Sequence, residues 1–146
     1  MPIKSFRGKI ASGNVDTISL HTNDGTIGYR IKKIQLMPAD GFGASNQEFT
    51  MKVYSVPQTT VDDAVDFSDQ TLLAAGYIGI NSSAGQIGET VVFDNMTFNQ
   101  DVYVTMIETA GNPGNYYIEL EQFKLDLNEN TVATLKDIKN IEASYL

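Results

Sequence analysis

At 146 residues the chain is the size of one domain, and 42% hydrophobic with 19% charged residues is an ordinary balance for a globular protein that buries its own core. Ten basic against eighteen acidic residues leave a formal charge of −8, which argues against nucleic acid as a partner, since that affinity comes from Lys and Arg neutralising phosphates. Cysteine is absent, which removes disulfides and thiolate chemistry together, and no apolar run approaches the roughly 18 residues of a membrane helix.

Residues 3–11 (IKSFRGKIA) read as an opening strand or an arm; they lack the apolar stretch of a secretion leader, so none is expected. Val15 to Thr22 reads as a strand, and Asp24-Gly25 is a hairpin-turn signal leading into a return strand from Ile27 to Met37. In that strand Tyr29 and Ile31 hold one phase and Ile34 and Leu36 the other, so a bulge or bend is expected at Lys32-Lys33. After a loop at 38–46, Phe49, Met51 and Val53 alternate with polar neighbours in the next strand. Residues 57–70 have no clear period. Leu72 to Ile80 is a nearly continuous apolar run, expected as a buried strand. A Gly/Ser-rich loop at 81–88 and a short strand at Glu89–Asp94 follow.

The stretch from Asp101 to Leu127 is the strongest β signal. Val102, Val104 and Met106 share one face of a first strand, and Tyr116, Ile118 and Leu120 share one face of a second. Gly111-Asn112-Pro113-Gly114-Asn115 between them predicts a central hairpin. Phe123, Leu125 and Leu127 fall in the opposite phase from Leu120, which predicts a bulge near Glu121-Gln122. In the tail, 130–146, Val132, Leu135, Ile138 and Ile141 recur at every third residue, the pattern of a short amphipathic helix or of an arm laid on a neighbour. About eight strands at this spacing, without an internal repeat, predict an all-β protein: a single-domain β-sandwich over 1–146, jelly-roll-like.

Candidate chemistry is thin. His21 stands alone near a turn, without a second histidine or a nucleophile motif, and is expected as an exposed strand-end residue. Asp62, Asp63, Asp66 and Asp69 are weak calcium candidates, because their spacing lacks the glycine and terminal glutamate of the known twelve-residue loop. Glu119 and Glu121 share one strand face, whereas glycosidic chemistry needs carboxyls facing each other across a cleft. The tyrosines suit strand packing better than a sugar platform. Asn81-Ser82-Ser83 and Asn95-Met96-Thr97 match the glycosylation pattern by chance. No phosphate loop, zinc spacing or nucleophile elbow occurs, so no enzyme, cofactor or metal is expected.

Several segments carry a resemblance when taken together: RGKIASGNVDTISLHTNDGTIGYRIKKIQL, VDFSDQTLLAAGYI, VVFDNMTFNQDVYVT, NYYIELEQFKLDL and TVATLKDIKNI. In phrase and order the chain resembles short virion structural proteins of marine tailed bacteriophages, including those of cyanobacteria. The resemblance implies a non-enzymatic building block of the particle, located in the virion. A capsid decoration or cement protein that binds the major capsid protein is the first expectation, as a homo-oligomer, with a trimer suited to lattice three-folds. The alternative is a tail or fibre module binding host-surface glycan through loops 38–46, 57–70 and 81–88. No role of any single residue follows from the resemblance. The composition independently nominates two assembly segments: Lys4, Phe6, Arg7 and Lys9 near the start, and Leu135, Ile138, Ile141 and Tyr145 in the tail.

Overall fold

A computed structural model describes residues 2–23, 25–39, 46–81 and 85–125. The strands are β1 (Ile3–Ile10), β2 (Asn14–Ile18), β3 (Ile27–Pro38), β4 (Gln47–Tyr54), β5 (Leu72–Asn81), β6 (Gly85–Phe93), β7 (Val102–Glu108) and β8 (Gly114–Lys124). They form a small sheet in the order β1-β8-β3 and a large sheet in the order β2-β7-β4-β5-β6. Every pairing is antiparallel, and the described residues contain no helix. The all-β sandwich expected from the sequence is what forms.

Its jelly-roll character lies in the pairing. β1 pairs with β8, β2 with β7 and β4 with β5, so the first half of the chain is matched in reverse order by the second. The remaining couple, β3 and β6, touches without pairing, and β6 instead extends the large sheet along β5.

Alternation decides which face turns inward. Successive strand residues point to opposite sides, so a strand delivers every second side chain to the core. β7 contributes Val102, Val104 and Met106, and β4 contributes Phe49, Met51 and Val53, each no more than 1% exposed. Tyr116, Ile118 and Leu120 of β8 and Ile31, Ile34 and Leu36 of β3 meet them from the small sheet. Each large apolar side chain buried in this way stabilises the fold by about 1.5–3 kcal/mol relative to exposure.

Two expected hairpins are not hairpins. β7 pairs with β2 and β4, whereas β8 pairs with β1 and β3, so the strands flanking the 109–113 turn lie in different sheets. The same is true across Asp24-Gly25, where β2 belongs to the large sheet and β3 to the small one. A turn signal specifies reversal of the chain, not the partner of the returning strand. Stacking the two apolar faces covers both at once, and edge-to-edge pairing would leave both still to be covered.

The bulge expected at Lys32-Lys33 is present. The β3–β8 register steps between Ile31 and Lys33, which loops out Lys32 and returns Ile34 and Leu36 to the core. The bulge expected near Glu121-Gln122 is absent, since β8 stays in register with β3 from Leu120 to Lys124. Phe123 keeps the outer side, with the Arg30 guanidinium 5.2 Å from its ring centre, and Leu125, buried beside it, packs over Gly28 on that same side. The opening segment forms β1, paired along its length with β8. The tail at 130–146, with Leu135, Ile138, Ile141 and Tyr145, lies outside the described residues.

β1 lies close on its neighbour. Gly8 is the cross-strand partner of Tyr116, and a Cβ at Gly8 would come within 3.0 Å of the tyrosine ring carbons. Gly8→Val should therefore lower unfolding stability by about 1–3 kcal/mol, the usual cost of overpacking. A denaturant midpoint equal to that of the native protein would contradict this packing of β1.

Candidate functional site

β4 is buried on both faces, because Thr50, Lys52 and Tyr54 of its outward phase are covered along with its inward residues. The cover is the 55–71 segment, which folds back over the large sheet. Lys52, 3% exposed, anchors it: Nζ donates to Asp62 Oδ1 at 2.9 Å and to the Ala64 carbonyl at 2.7 Å. Burial disfavours the ammonium charge, but Asp62 and Tyr54 outweigh it and hold the Lys52 pKa above its ordinary value. The other aspartates close local turns. Asp66 accepts from the Ser68 amide and hydroxyl, and Asp69 from those of Thr71. Among the described residues no three acidic or histidine side chains converge as a metal site.

Between this segment and the sheet runs an open groove of about 420 Å³. Val65 and Phe67 form one wall, Tyr77 and Val92 the other, with Ile107 and Ala75 among the residues lining it. Phe67 is 68% exposed, and Val65, Tyr77, Val92 and Phe93 are exposed as well. Glu48 and Asp63 also line it, and Asp66 and Asp69 lie on the same segment, so the apolar surface has acidic surroundings.

The small sheet has the opposite character. β1 and β3, its two edge strands, hold six of the chain's ten basic residues and no acidic one. Arg7 and Lys9 alternate outward from the core residue Ile10, and Arg30 and Lys33 alternate outward from Ile31 and Ile34. Between them on β8 stand Glu119 and Glu121. Glu121 reaches Arg30 at 3.6 Å, and Glu119 accepts from the Tyr117 hydroxyl at 2.8 Å. Among the described residues, Arg7, Lys9, Lys32 and Lys33 form no ion pair. Met37, 65% exposed, and Ile3, 50% exposed, add apolar patches to this sheet.

The carboxylates with the most partners hold the frame. Glu108, 3% exposed at the end of β7, accepts from the Ala110 amide at 2.8 Å, the Asn112 amide at 2.9 Å and the Thr109 hydroxyl at 2.9 Å. Burial raises its pKa, but these donors outweigh burial and hold it below the ordinary value. Gly111, at φ 87°, supplies the left-handed residue that this turn requires. Asp101 accepts the Leu20 and His21 amides and lies 2.7 Å from His21 Nδ1, tying the segment after β2 to the start of β7. His21 is thus an exposed residue tied to Asp101. Tyr116 donates to Asp16 at 3.2 Å, and burial, aided by that carboxylate, pushes its pKa up to about 12.

Of the nominated assembly residues, Lys4, Phe6, Arg7 and Lys9 lie on β1, but on two faces. Arg7 and Lys9 point outward, whereas Phe6 packs against the core and Lys4 shares its phase. Sequence reasoning missed Arg30, Lys32 and Lys33 as their neighbours, because only the β1-β8-β3 order brings the two basic strands to one sheet. The three loops nominated for glycan do not share one end. The segments after β3 and β5 leave one end of the sandwich, and the segment after β4 leaves the other.

No family model matches the chain, and no curated protein does. Among solved structures it is similar to a chain of Desmodium yellow mottle tymovirus, at 12% identity and a TM-score of 0.35, over 87% of this chain and 89% of that one. A likeness at that level carries no argument about function.

Two outcomes follow from the buried charges. Lys52→Met should remove the only ammonium donor to the Ala64 carbonyl and leave Asp62 with the Ala64 amide alone, lower stability by about 1–3 kcal/mol and speed proteolytic cleavage within 55–71; cleavage at the native rate would show that the segment is held otherwise. Because the Glu108 pKa is lowered on folding, its contribution is present above its unfolded value and is lost as pH falls through the folded one. Stability should therefore drop below about pH 4.5, less steeply in Glu108→Gln. Equal slopes in the two proteins would contradict this role.

Proposed function

We propose that the chain is a non-enzymatic structural protein of a bacteriophage virion, a capsid decoration protein that binds the major capsid protein of the assembled shell. The observation that carries this reading is the division of the surface. A sandwich with a basic sheet on one side and an acidic, partly apolar groove on the other offers two broad contact faces, which suits a subunit held between neighbours. The resemblance of the sequence to short virion proteins of marine tailed phages points the same way.

The mechanism is linkage. A protein that binds only the assembled shell adds its binding free energy to the stability of that shell. Modest contacts repeated over many copies multiply through avidity.

Cosedimentation with tail-less capsids stripped of their accessory proteins tests the proposal. Saturable binding at a stoichiometry set by the capsid lattice is expected, together with a raised temperature of shell disruption. Absence of binding would overturn the decoration role and favour a place in the tail or fibre.

A further inference from the structure

Charge and apolar surface in this molecule are complementary across its two outer faces. The small sheet presents Arg7, Lys9, Lys32 and Lys33, none in an ion pair among the described residues, with Met37 exposed nearby. The far side presents the groove of about 420 Å³ between Val65 and Phe67 on one wall and Tyr77 and Val92 on the other, with Asp63 lining it and Asp66 in the same segment. A surface that pairs exposed aromatic and aliphatic side chains with unlike charges is what an interface core and its polar rim require. We propose that these two faces bind each other in successive copies of this chain, the basic sheet of one copy docking head to tail on the 55–71 segment and groove of the next.

The occupant follows from the charges. Outside the small sheet the chain is strongly acidic, since Glu119 and Glu121 are the only acidic residues within β1, β3 and β8 among eighteen in the sequence. Any copy therefore carries the complement of its own basic face. The segment that would receive it is braced, because Lys52 holds it to β4 through Asp62 and Ala64, so docking requires little ordering of backbone. Lys32 and Lys33 gain reach from the bulge that lifts Lys32 out of register. The contact is heterologous, since the two patches are different surfaces on opposite sides of the sandwich. A docked pair keeps one free face of each kind, and the assembly closes into a ring or grows as a chain according to the rotation between copies. The inference concerns the purified chain and holds independently of the particle it serves.

Light scattering on the full chain, with two charge-reversed variants, tests it. Arg7→Glu with Lys9→Glu spoils the basic face and leaves the groove intact. Asp63→Lys with Asp66→Lys spoils the acidic face and leaves the sheet intact. The native protein should associate at low ionic strength and dissociate as salt rises past about 0.1 M, where the screening length is about 10 Å. Each variant alone should be monomeric, and an equimolar mixture should associate, because each variant retains the face that the other lacks and the two reversed faces are again of unlike charge. Circular dichroism like that of the native protein identifies folded variants; should either misfold, Lys33→Glu and Phe67→Ser replace the pair, each again expected to be monomeric. A native protein that stays monomeric at low salt would overturn the proposal and leave the lysines as guards on the sheet edges. Variants that still self-associate, or a mixture that forms no dimer, would overturn it equally.

Discussion

The burial of β7 and β8 in one core, from opposite sheets, is the constraint on which the rest of this molecule depends. Each strand has one face of large apolar side chains, Val102, Val104 and Met106 on the first and Tyr116, Ile118 and Leu120 on the second. Joined by a short turn, the two could have paired edge to edge, but that arrangement would leave both faces in water. Lying in opposite sheets, they turn both faces into the one core, and each then has both edges free to gather partners. β7 gathers β2 and β4, and β8 gathers β1 and β3. Glu108 sits where the chain crosses between the sheets, and its hydrogen bonds close the turn that directs the crossing.

The surface follows from that crossing. Because β8 is the centre of the small sheet, the strands at residues 3–10 and 27–38 become its two edges, and their lysines and arginines are brought to one sheet. Neither strand alone would be notable, since charged residues on edge strands commonly guard against unwanted pairing. Together they give an acidic protein one basic side. The large sheet acquires its character differently. The segment between β4 and β5 would be solvated by composition, but the buried Lys52 holds it against the sheet and creates a groove that neither part contains alone.

Much of the fold was legible in the sequence, and the failures share one cause. The alternation of Phe49, Met51 and Val53 and of Val102, Val104 and Met106 identified strands and their inward faces, because the pleat enforces a period of two. The phase slip at Lys32-Lys33 identified a bulge for the same reason. The slip after Leu120 did not, because Phe123 finds cover outside under Arg30 and needs no return to the core. The two hairpins failed because turn chemistry around Gly25 and Gly111 encodes local reversal, whereas partner choice is decided by burial over the whole sandwich. The candidate faces were hidden by the same non-local step: Arg7 and Lys33, or Phe67 and Tyr77, are distant in sequence and meet only through sheet order or a folded-back segment. Lys52 lies in the polar phase of an alternating strand, and nothing local marks it as buried.

The central claim is that this protein works through contact by its basic sheet. Amine labelling followed by mass spectrometry, on the dispersed protein and on the assembled material, tests it most directly. Lys52 is buried in either state and serves as the unreactive internal reference. On assembly, labelling of Lys9, Lys32 and Lys33 should slow severalfold, while Lys124 at the far end of β8 changes less. Equal reactivity of Lys9, Lys32 and Lys33 before and after assembly would contradict the claim.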